Sequence, residues 1–427
     1  MSYQKFKPES LMMSYGHHAA QSQGAVKVPV YQTSTFSFQS AEEGKSYFEL
    51  AYGLREPNGN EAPGMIYSRL NNPDLDILEQ RLCLWDKAEE AAVFSSGMAA
   101  ISTIMFEFLE PGDVLLYSSP LYGGSIHFIT SVLVKMGIEV AEFRAGEQPE
   151  DILCRLKAED RAERVAMVYI ETPANPTNAL IDIEAMNLLA EELSVPERHV
   201  RVVVDNTYMG PLWQHPLALG ADLVLYSATK FLGGHSDLIA GAVLGNKELI
   251  QRVKTMRTFL GNMATPWTSW LLMRSLETLK LRMEQQCHNA QRIARFLASH
   301  PMVEQVNYLG LLTEADGEQY DIYQRQCIAP GSMISVYLRG GEKEAFAFLN
   351  GLKLLKMAVS LGSTESLAQH PATMTHAGLP NGMMEEAGVT ENLVRLSIGV
   401  ENTDDLLSDL EQALDKVVVA SEEAVAL

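Results

Sequence analysis

Short apolar runs alternate with helical patterns between about residues 65 and 265, and this alternation restricts the possible fold more than any other feature. The apolar runs are Asp113–Tyr117, Val165–Ile170, Val202–Asp205, Asp222–Tyr226 and Gly241–Leu244. Helical patterns occur at Leu75–Trp85, Met98–Leu109 and Ile183–Leu193. Continuously apolar strands that alternate with helices are typical of a sheet that is covered on both faces and mainly parallel. The sequence therefore predicts an α/β domain over residues 65–265.

The two flanking regions have different patterns. Residues 1–64 are polar, contain glycine and are weakly periodic, so we expect an extended arm there. A long helical pattern from Trp267 to about Ser299 is predicted to lead into a second, C-terminal domain over residues 266–427. The elements predicted in that domain are the strands Ser332–Tyr337 and Leu393–Ser397 and a final amphipathic helix, Thr403–Val419.

Composition excludes several classes of partner. The net charge of −21 argues against nucleic acid and against an anionic membrane surface. No uninterrupted apolar run has the length that a membrane-spanning helix needs. The cysteines are scattered without a CxxC pair, so we expect no metal site, no disulfide framework and a cytoplasmic location. They are Cys83, Cys154, Cys287 and Cys327.

Lys230 follows the predicted buried strand Asp222–Tyr226 and stands beside Ser227, Thr229 and a Gly-Gly pair. An amine at such a position is partly desolvated, loses its proton more easily and becomes a nucleophile toward carbonyls. Pyridoxal phosphate needs such an amine for its Schiff base and hydroxyls for its phosphate. The segment alone is also compatible with a surface lysine that follows a strand.

Eight separated segments resemble one enzyme family, in the family's order. They are Gly24–Phe36, Tyr67–Pro73, Ser95–Ala100, Glu171–Thr177, Val204–Thr207, Tyr226–His235, Ser360–Pro371 and Leu393–Gly399. Over residues from about 15 to 415 the chain resembles the Cys/Met-metabolism pyridoxal 5'-phosphate enzymes, which include methionine γ-lyase, cystathionine γ-lyase and cystathionine γ-synthase. The resemblance implies the aspartate-aminotransferase-like fold type I. It also implies a homotetramer that is a dimer of dimers.

The phosphate of the cofactor is expected at the start of a helix. Gly97 and Met98 stand where a loop enters a helix, and free N–H groups at such a position bind phosphate. A simple N-cap before a core helix is the alternative reading. Ser227 and Thr229 can donate further hydrogen bonds. The resemblance implies that Tyr67 and Arg69 reach the same phosphate from the neighbouring subunit, so each active site would need a dimer.

The remaining site residues follow from the resemblance. It implies that Asp205 pairs with the pyridine nitrogen, that Asn175 lies beside the 3-oxygen, and that Tyr122 stacks on the ring and assists proton transfer at the γ-leaving group. Arg395 would bind the substrate α-carboxylate, a task that suits a bidentate donor. Ser360 would help to position Lys230 or the substrate, and Lys230 would move the proton of the α-carbon.

Three positions differ from well-known relatives and bear on the substrate. Methionine γ-lyases carry a cysteine where this chain has Gly124, and cystathionine enzymes carry an arginine where it has His127. Val359 stands where cystathionine enzymes usually have a glutamate, as in methionine γ-lyase. Losing two charged contacts should weaken binding of a doubly zwitterionic substrate, so cystathionine is disfavoured. A one-residue shift of the alignment at His127, or compensation by nearby groups, is the alternative.

The resemblance implies that the arm of residues 1–64 reaches the neighbouring subunit, near the entrance of its active site. Within this arm, the stretch from Ala41 to Gly64 looks longer than in methionine γ-lyase and is acidic. Its glutamates are Glu42, Glu43, Glu49, Glu56 and Glu61. Most are expected to form a solvated face. The sharper hypothesis is that one carboxylate meets a cationic distal group, such as the oxyguanidine of canavanine.

These observations predict a γ-lyase that uses pyridoxal phosphate and acts on a small-molecule L-amino acid such as methionine, homocysteine or canavanine. Elimination and replacement share most of their reaction path, so the motifs do not separate them. The alternative is therefore a γ-replacement enzyme, either cystathionine γ-synthase or an O-acylhomoserine sulfhydrylase. A non-catalytic binding protein on the same scaffold is a remote third reading.

Overall fold

The computed structural model describes residues 6–59, 61, 64–378, 384 and 388–425. The helices are α1 Pro8–Leu11, α2 Ala41–Ala51, α3 Pro73–Asp86, α4 Gly97–Phe108, α5 Gly123–Phe128, α6 Pro149–Ala158, α7 Ile183–Leu193, α8 Gly210–Trp213, α9 Lys247–Leu260, α10 Pro266–Leu276, α11 Leu279–Ser299, α12 Glu318–Gln326, α13 Glu342–Gly351 and α14 Thr403–Val425. The strands are β1 Glu90–Phe94, β2 Val114–Ser119, β3 Glu139–Arg144, β4 Val165–Glu171, β5 Arg201–Asp205, β6 Leu223–Tyr226, β7 Gly241–Gly245, β8 Val303–Asn307, β9 Met333–Leu338, β10 Lys356–Met357, β11 Leu367–Gln369 and β12 Leu393–Ser397.

A seven-stranded sheet has the order β1-β7-β6-β5-β4-β2-β3. The strands from β6 to β3 are parallel, whereas β7 runs antiparallel to both of its neighbours. Both faces of this sheet are buried: Val203 packs into one apolar cluster, and Val202 and Val204 pack into another on the opposite face. The predicted mainly parallel sheet is confirmed.

A second sheet, formed by the C-terminal part of the chain, has five strands in the order β10-β11-β12-β9-β8. Residues of α11, α13 and α14 cover it and share one apolar cluster, in which Phe348 is fully buried. Bulky aliphatic side chains at alternate positions of β9, such as Ile334 and Val336, face this cluster. The C-terminal sheet and its helices therefore have a core of their own.

The elements largely agree with the sequence, with three differences. The pattern from Trp267 to Ser299 forms two helices, because α10 ends at Leu276 and α11 begins at Leu279. Five strands were not predicted: the two edge strands of the large sheet, β1 and β3, and the strands β8, β10 and β11 of the smaller sheet. The expected extended arm contains the eleven-residue helix α2, and its Met12 and Val28 pack into the core of the same chain. The domain boundaries and the arm's contact with another subunit stay predictions.

Two further findings concern classes of site. No helix in the described part of the chain is long and apolar enough to cross a membrane. Among the residues that the structure describes, no three or more His, Cys, Asp and Glu side chains form a group that could hold a metal ion. The four cysteines are free thiols.

Candidate active site

A cavity of about 280 Å³ lies at the carboxyl ends of β4, β5 and β6, the edge at which ligands bind in open α/β sheets. Residues of the C-terminal sheet and its loops close it from the other side. Its lining is Ser96, Gly97, Met98, Ile101, Tyr122, Glu171, Asn175, Asp205, Thr207, Tyr208, Leu225, Ser227, Thr229, Lys230, Ile239, Val359, Ser360, Leu361, Thr375 and Arg395. The cavity therefore brings together most of the predicted site residues.

Lys230 lies in the turn that follows β6, with its side chain directed into the cavity. Its Nζ donates a hydrogen bond of 2.8 Å to Oγ of Ser360, which is 130 residues further along the chain. Burial, and secondarily the nearby charge of Arg395, lowers the pKa of Lys230 from 10.5 to about 8. The amine is therefore partly neutral near pH 7, as a nucleophile must be.

The segment that carries Ser360 packs along the lysine segment. Thr364 N–H donates to the Gly234 carbonyl at 3.0 Å. Gly362 has φ +77, and a Cβ there would lie 2.8 Å from the backbone nitrogen of Phe231. Ser360 itself has φ +99, a conformation that costs a non-glycine residue about 1–3 kcal/mol and persists only where its surroundings hold it. The two segments thus fix the position of the amine.

Asp205 is the last residue of β5 and is buried. Its Oδ1 accepts hydrogen bonds from the backbone N–H of Thr207 at 3.0 Å and from the Thr207 hydroxyl at 2.6 Å. Burial raises the pKa of Asp205, and the two Thr207 donors act against that rise. A buried carboxylate in this position suits a cationic ring nitrogen.

The predicted phosphate end is formed by the start of α4. Ser96 caps this helix by accepting from Ala99 N–H, while the N–H groups of Gly97 and Met98, in the first turn, have no intrahelical partner. A Cβ at Gly97 would lie 2.9 Å from Cβ of Ser227, so only glycine fits there. The Thr229 hydroxyl donates to the Ala240 carbonyl at 3.1 Å. A phosphate would have to replace that bond.

Arg395 lies on β12 and is buried at the cavity wall. Nη1 donates to Asn175 Oδ1 at 3.0 Å, and Nη2 donates to the Ser360 carbonyl at 2.6 Å. Asn175 Oδ1 also accepts from the Tyr208 hydroxyl at 2.7 Å. The Nε of Arg395 is buried without a hydrogen-bond partner, which is costly unless a ligand accepts from it. A carboxylate would satisfy it.

The mouth of the cavity is apolar. Tyr122, Ile239 and Val359 line it, and their side chains are 41%, 66% and 55% exposed. Gly124 lies behind the tyrosine ring rather than in the lining: a Cβ there would be 2.6 Å from Cε1 of Tyr122 and 3.3 Å from Sδ of Met98. The absence of a side chain at Gly124 therefore lets the Tyr122 ring take its present position.

Besides Gly124, three predicted residues do not line the cavity of this chain: His127, Tyr67 and Arg69. His127 is exposed, and its Nε2 would lie 2.9 Å from a Cβ at Gly378. Arg69 donates through Nη1 to the Thr258 carbonyl at 2.8 Å and lies 5.8 Å from the ring of Tyr67. The predicted action of Tyr67 and Arg69 on another subunit's site stays a prediction.

Nine lining residues were not predicted as site residues, and four of them, Glu171, Thr207, Tyr208 and Thr375, carry polar side chains in segments beyond the start of α4. Two of them could have been predicted from the sequence, because Glu171 begins the Glu171–Thr177 segment and Thr207 ends the Val204–Thr207 segment. Glu171 ends β4 and Thr207 follows β5, and the carboxyl ends of these buried strands meet at one sheet edge. Tyr208 and Thr375 gave no comparable pattern.

Comparison with known proteins identifies the family. The sequence model of the Cys/Met metabolism PLP-dependent enzymes matches residues 9–415. The chain belongs to this family. It is 40% identical to L-methionine γ-lyase of Fusobacterium nucleatum subsp. polymorphum, over 92% of this chain and 94% of that protein. It is 37% identical to cystathionine γ-lyase of Bacillus subtilis, over 96% and 100% of the two chains.

Solved structures agree with this assignment. The cystathionine γ-synthase of Xanthomonas oryzae pv. oryzae in complex with cystathionine superposes with a TM-score of 0.85 at 33% identity, covering 97% of this chain and 99% of the other. The chain thus has the predicted fold type I, is an enzyme that acts on amino acids, and uses pyridoxal phosphate. The cavity fits this cofactor, since it offers the Lys230 amine, the buried Asp205 carboxylate and the start of α4.

Proposed function

We propose that this enzyme is a γ-lyase that eliminates an uncharged γ-substituent from an L-amino acid, with methionine or homocysteine as its best substrate. The supporting observation is the charge of the cavity lining. The ionisable acidic and basic side chains there are Glu171, Asp205, Lys230 and Arg395. Each of these four side chains already makes hydrogen bonds within the cavity. The mouth of the cavity beyond them is apolar. In the described chain, nothing in the lining is left to meet a distal charge.

Each residue has a definite part in this reaction. Pyridoxal phosphate, when bound, supplies an electron sink for the negative charge that develops at the substrate α-carbon. Lys230 holds the cofactor and then, as a neutral amine, takes the proton from the α-carbon. A proton of the β-carbon must leave as well before the bond to the γ-substituent can break. Asp205 keeps a negative charge beside the ring nitrogen. Arg395 orients the substrate through its α-carboxylate, for which Nε is unpartnered. Tyr122 stands at the mouth, where its hydroxyl can protonate the leaving group.

The relatives support elimination and also keep the alternative open. L-Methionine γ-lyases match at 40% identity, whereas the similar solved cystathionine γ-synthases match at 33%. A γ-replacement enzyme that forms cystathionine must bind a second carboxylate and ammonium. Val359 lines the mouth without charge, and His127 lies outside the lining. These two positions favour the lyase.

The contacts of the acidic segment leave few glutamates free to bind the oxyguanidine of canavanine. Glu49 and Glu61 both accept hydrogen bonds from the guanidinium of Arg55, at 3.1 Å and 2.8 Å. Arg55 lowers the pKa of Glu61 to about 2. Glu43 accepts from the Tyr47 hydroxyl at 2.9 Å. These three carboxylates are already engaged within the chain, so only Glu42 and Glu56 remain as candidates.

The test is made with the cofactor-loaded enzyme on methionine, homocysteine, canavanine, cystathionine and O-acetylhomoserine, each with and without an added thiol. Release of a 2-oxo acid reports elimination, and formation of a thioether amino acid reports replacement. We expect turnover of methionine or homocysteine without thiol, and none by the Lys230→Ala variant. Activity with O-acetylhomoserine only when thiol is present would contradict elimination. If canavanine is the best substrate, homoserine should appear as well. Glu42→Gln or Glu56→Gln should then raise the KM for canavanine, whichever of the two removes the carboxylate that binds its cationic group.

We further propose a cytoplasmic homotetramer, built as a dimer of dimers, whose active sites are shared between subunits. The free thiols fit a reducing compartment. Subunit sharing can be tested by mixing Lys230→Ala chains with Arg69→Ala chains, which should each be inactive alone. If Arg69 acts in the partner's site, random reassociation restores about a quarter of the wild-type activity, because half of the dimers are mixed and each has one intact site. If Arg69 acts within its own chain, no activity returns.

A further inference from the structure

We propose that Glu171 is a positioning residue of this active site, which fixes Tyr122 and Asn175 relative to each other through its two carboxyl oxygens. None of the roles derived above uses Glu171, although it lines the cavity and is only 4% exposed. The proposal rests on the function proposed above, because that function gives Tyr122 and Asn175 their roles in the reaction. Its geometry is independent of the substrate.

Glu171 joins two loops that are far apart in sequence. It is the last residue of β4, and its N–H donates to Oγ of Ser118, on β2, at 3.0 Å. Oε2 accepts from the N–H of Tyr122 at 2.9 Å, and Oε1 accepts from the N–H of Asn175 at 3.0 Å. The loop after β2 and the loop after β4 are therefore connected through one side chain. Both oxygens bind backbone groups, so the connection fixes the loops themselves.

The connection continues to the residue predicted to bind the substrate carboxylate. Asn175 Oδ1 accepts from Nη1 of Arg395 and from the Tyr208 hydroxyl. A shift of the backbone at Asn175 would therefore move a hydrogen-bond partner of Arg395. Glu171 thus connects a residue at the leaving-group side, Tyr122, with one at the carboxylate side.

Glu171 also has a carboxyl neighbour. It is in register with Asp205, so both side chains point to the same face of the sheet. Burial, followed by the charge of Asp205, raises the pKa of Glu171, whereas the Thr207 donors favour the ionised form of Asp205. Burial and the neighbouring negative charge both favour the neutral form of Glu171. Glutamine at position 171 matches that neutral form in charge and size.

Glu171→Gln consequently separates geometry from charge. Its single carbonyl oxygen can accept only one of the two N–H groups, because the amide nitrogen is a donor. Glu171→Asp keeps two acceptors but shortens the side chain by one methylene. The matched control is Glu150→Gln, at an exposed position of α6 away from the lining. All variants are studied as cofactor-loaded enzyme.

The first readout is the visible circular dichroism of the bound cofactor, which reports how the ring is held and needs no substrate. We expect Glu171→Gln and Glu171→Asp to change its amplitude, and Glu150→Gln to leave it as in wild type. The second readout is steady-state kinetics. Loss of one buried hydrogen bond should lower kcat/KM by about tenfold to a hundredfold, with a lower kcat through Tyr122 and a higher KM through Arg395.

The outcomes separate this proposal from the function itself. Wild type that eliminates no substrate of the panel would refute the proposed function, while the dichroism would still test Glu171. Variants at position 171 whose dichroism and kcat/KM both stay within twofold of Glu150→Gln would overturn the positioning role. So would a lower unfolding midpoint with unchanged dichroism and kinetics, since that result is what a purely structural carboxyl gives.

Discussion

The amine of Lys230 should ionise far below an ordinary lysine in the cofactor-free protein. Its pKa of about 8 has two causes, burial and the nearby Arg395, and burial is the larger. At pH 7.5 a pKa of 8 leaves about a quarter of the amines neutral, whereas a pKa of 10.5 leaves about one in a thousand. Only the neutral amine attacks a carbonyl, and Lys230 presents about two hundred times more of that form than an unperturbed lysine, so it should react faster.

The assay is the rate at which cofactor-free protein captures salicylaldehyde between pH 6 and pH 11, with the Lys230→Ala background subtracted. The rate should rise with pH, because the amine loses its proton, with its midpoint near pH 8, and should level off above about pH 9. Arg395→Gln removes the cation but keeps most of the burial, so its midpoint should lie between 8 and 10.5. Arg339→Gln, at an exposed arginine outside the cavity, is the control.

Two results would refute this reasoning. A rate that keeps rising to pH 10 in wild type would mean that Lys230 is solvated in the cofactor-free protein. A midpoint that is the same in Arg395→Gln and in wild type would mean that Arg395 contributes nothing to the shift. In the second case burial alone would account for it.

Gly97→Ala should weaken cofactor binding at least about tenfold in a fluorescence titration, because its Cβ would lie 2.9 Å from Cβ of Ser227 and push apart the phosphate end; unchanged affinity would place the phosphate elsewhere. Gly124→Ala should lower kcat with little change in cofactor affinity, since its Cβ would displace the Tyr122 ring, at 2.6 Å; a drop in affinity alone would contradict this. Phe348→Ala should lower the free energy of unfolding by about 3–5 kcal/mol in denaturant titrations, because Phe348 is fully buried in the C-terminal core; a loss below 1 kcal/mol would mean that this core repacks.

Local patterns were sufficient for most of the fold. The run Val165–Ile170 is buried at every position of β4, so its continuous apolar pattern predicted a central strand. The strand β3 alternates between buried and partly exposed positions at the sheet edge. Its charged residues interrupt the apolar run, so the sequence did not indicate a strand there. The helix α2 begins at a cap, with Ser40 accepting from Glu43 N–H. A serine followed three residues later by a glutamate is a start signal for a helix, so α2 could have been predicted from the sequence.

The site was predicted where a residue type alone indicates its chemistry, as for Lys230 and Asp205. Glu171 was missed because its part depends on non-local geometry: its register with Asp205 and its reach to the N–H of Tyr122 exist only in the folded chain. The contacts of the acidic segment are also non-local to its composition: Arg55 binds both Glu49 and Glu61, and composition alone does not indicate this pairing.

The hydrogen bond between Lys230 and Ser360 spans 130 residues of sequence, and this span bears on how the enzyme matures. One cause of the unusual acidity of Lys230, the charge of Arg395, requires β12 to be in place, and Ser360 and Leu361 complete the cavity around the amine. We therefore expect that a growing chain with only its large parallel sheet completed holds Lys230 closer to an ordinary, protonated lysine. Its full reactivity toward aldehydes should arise late in biosynthesis, after the last strands of the smaller sheet have assembled.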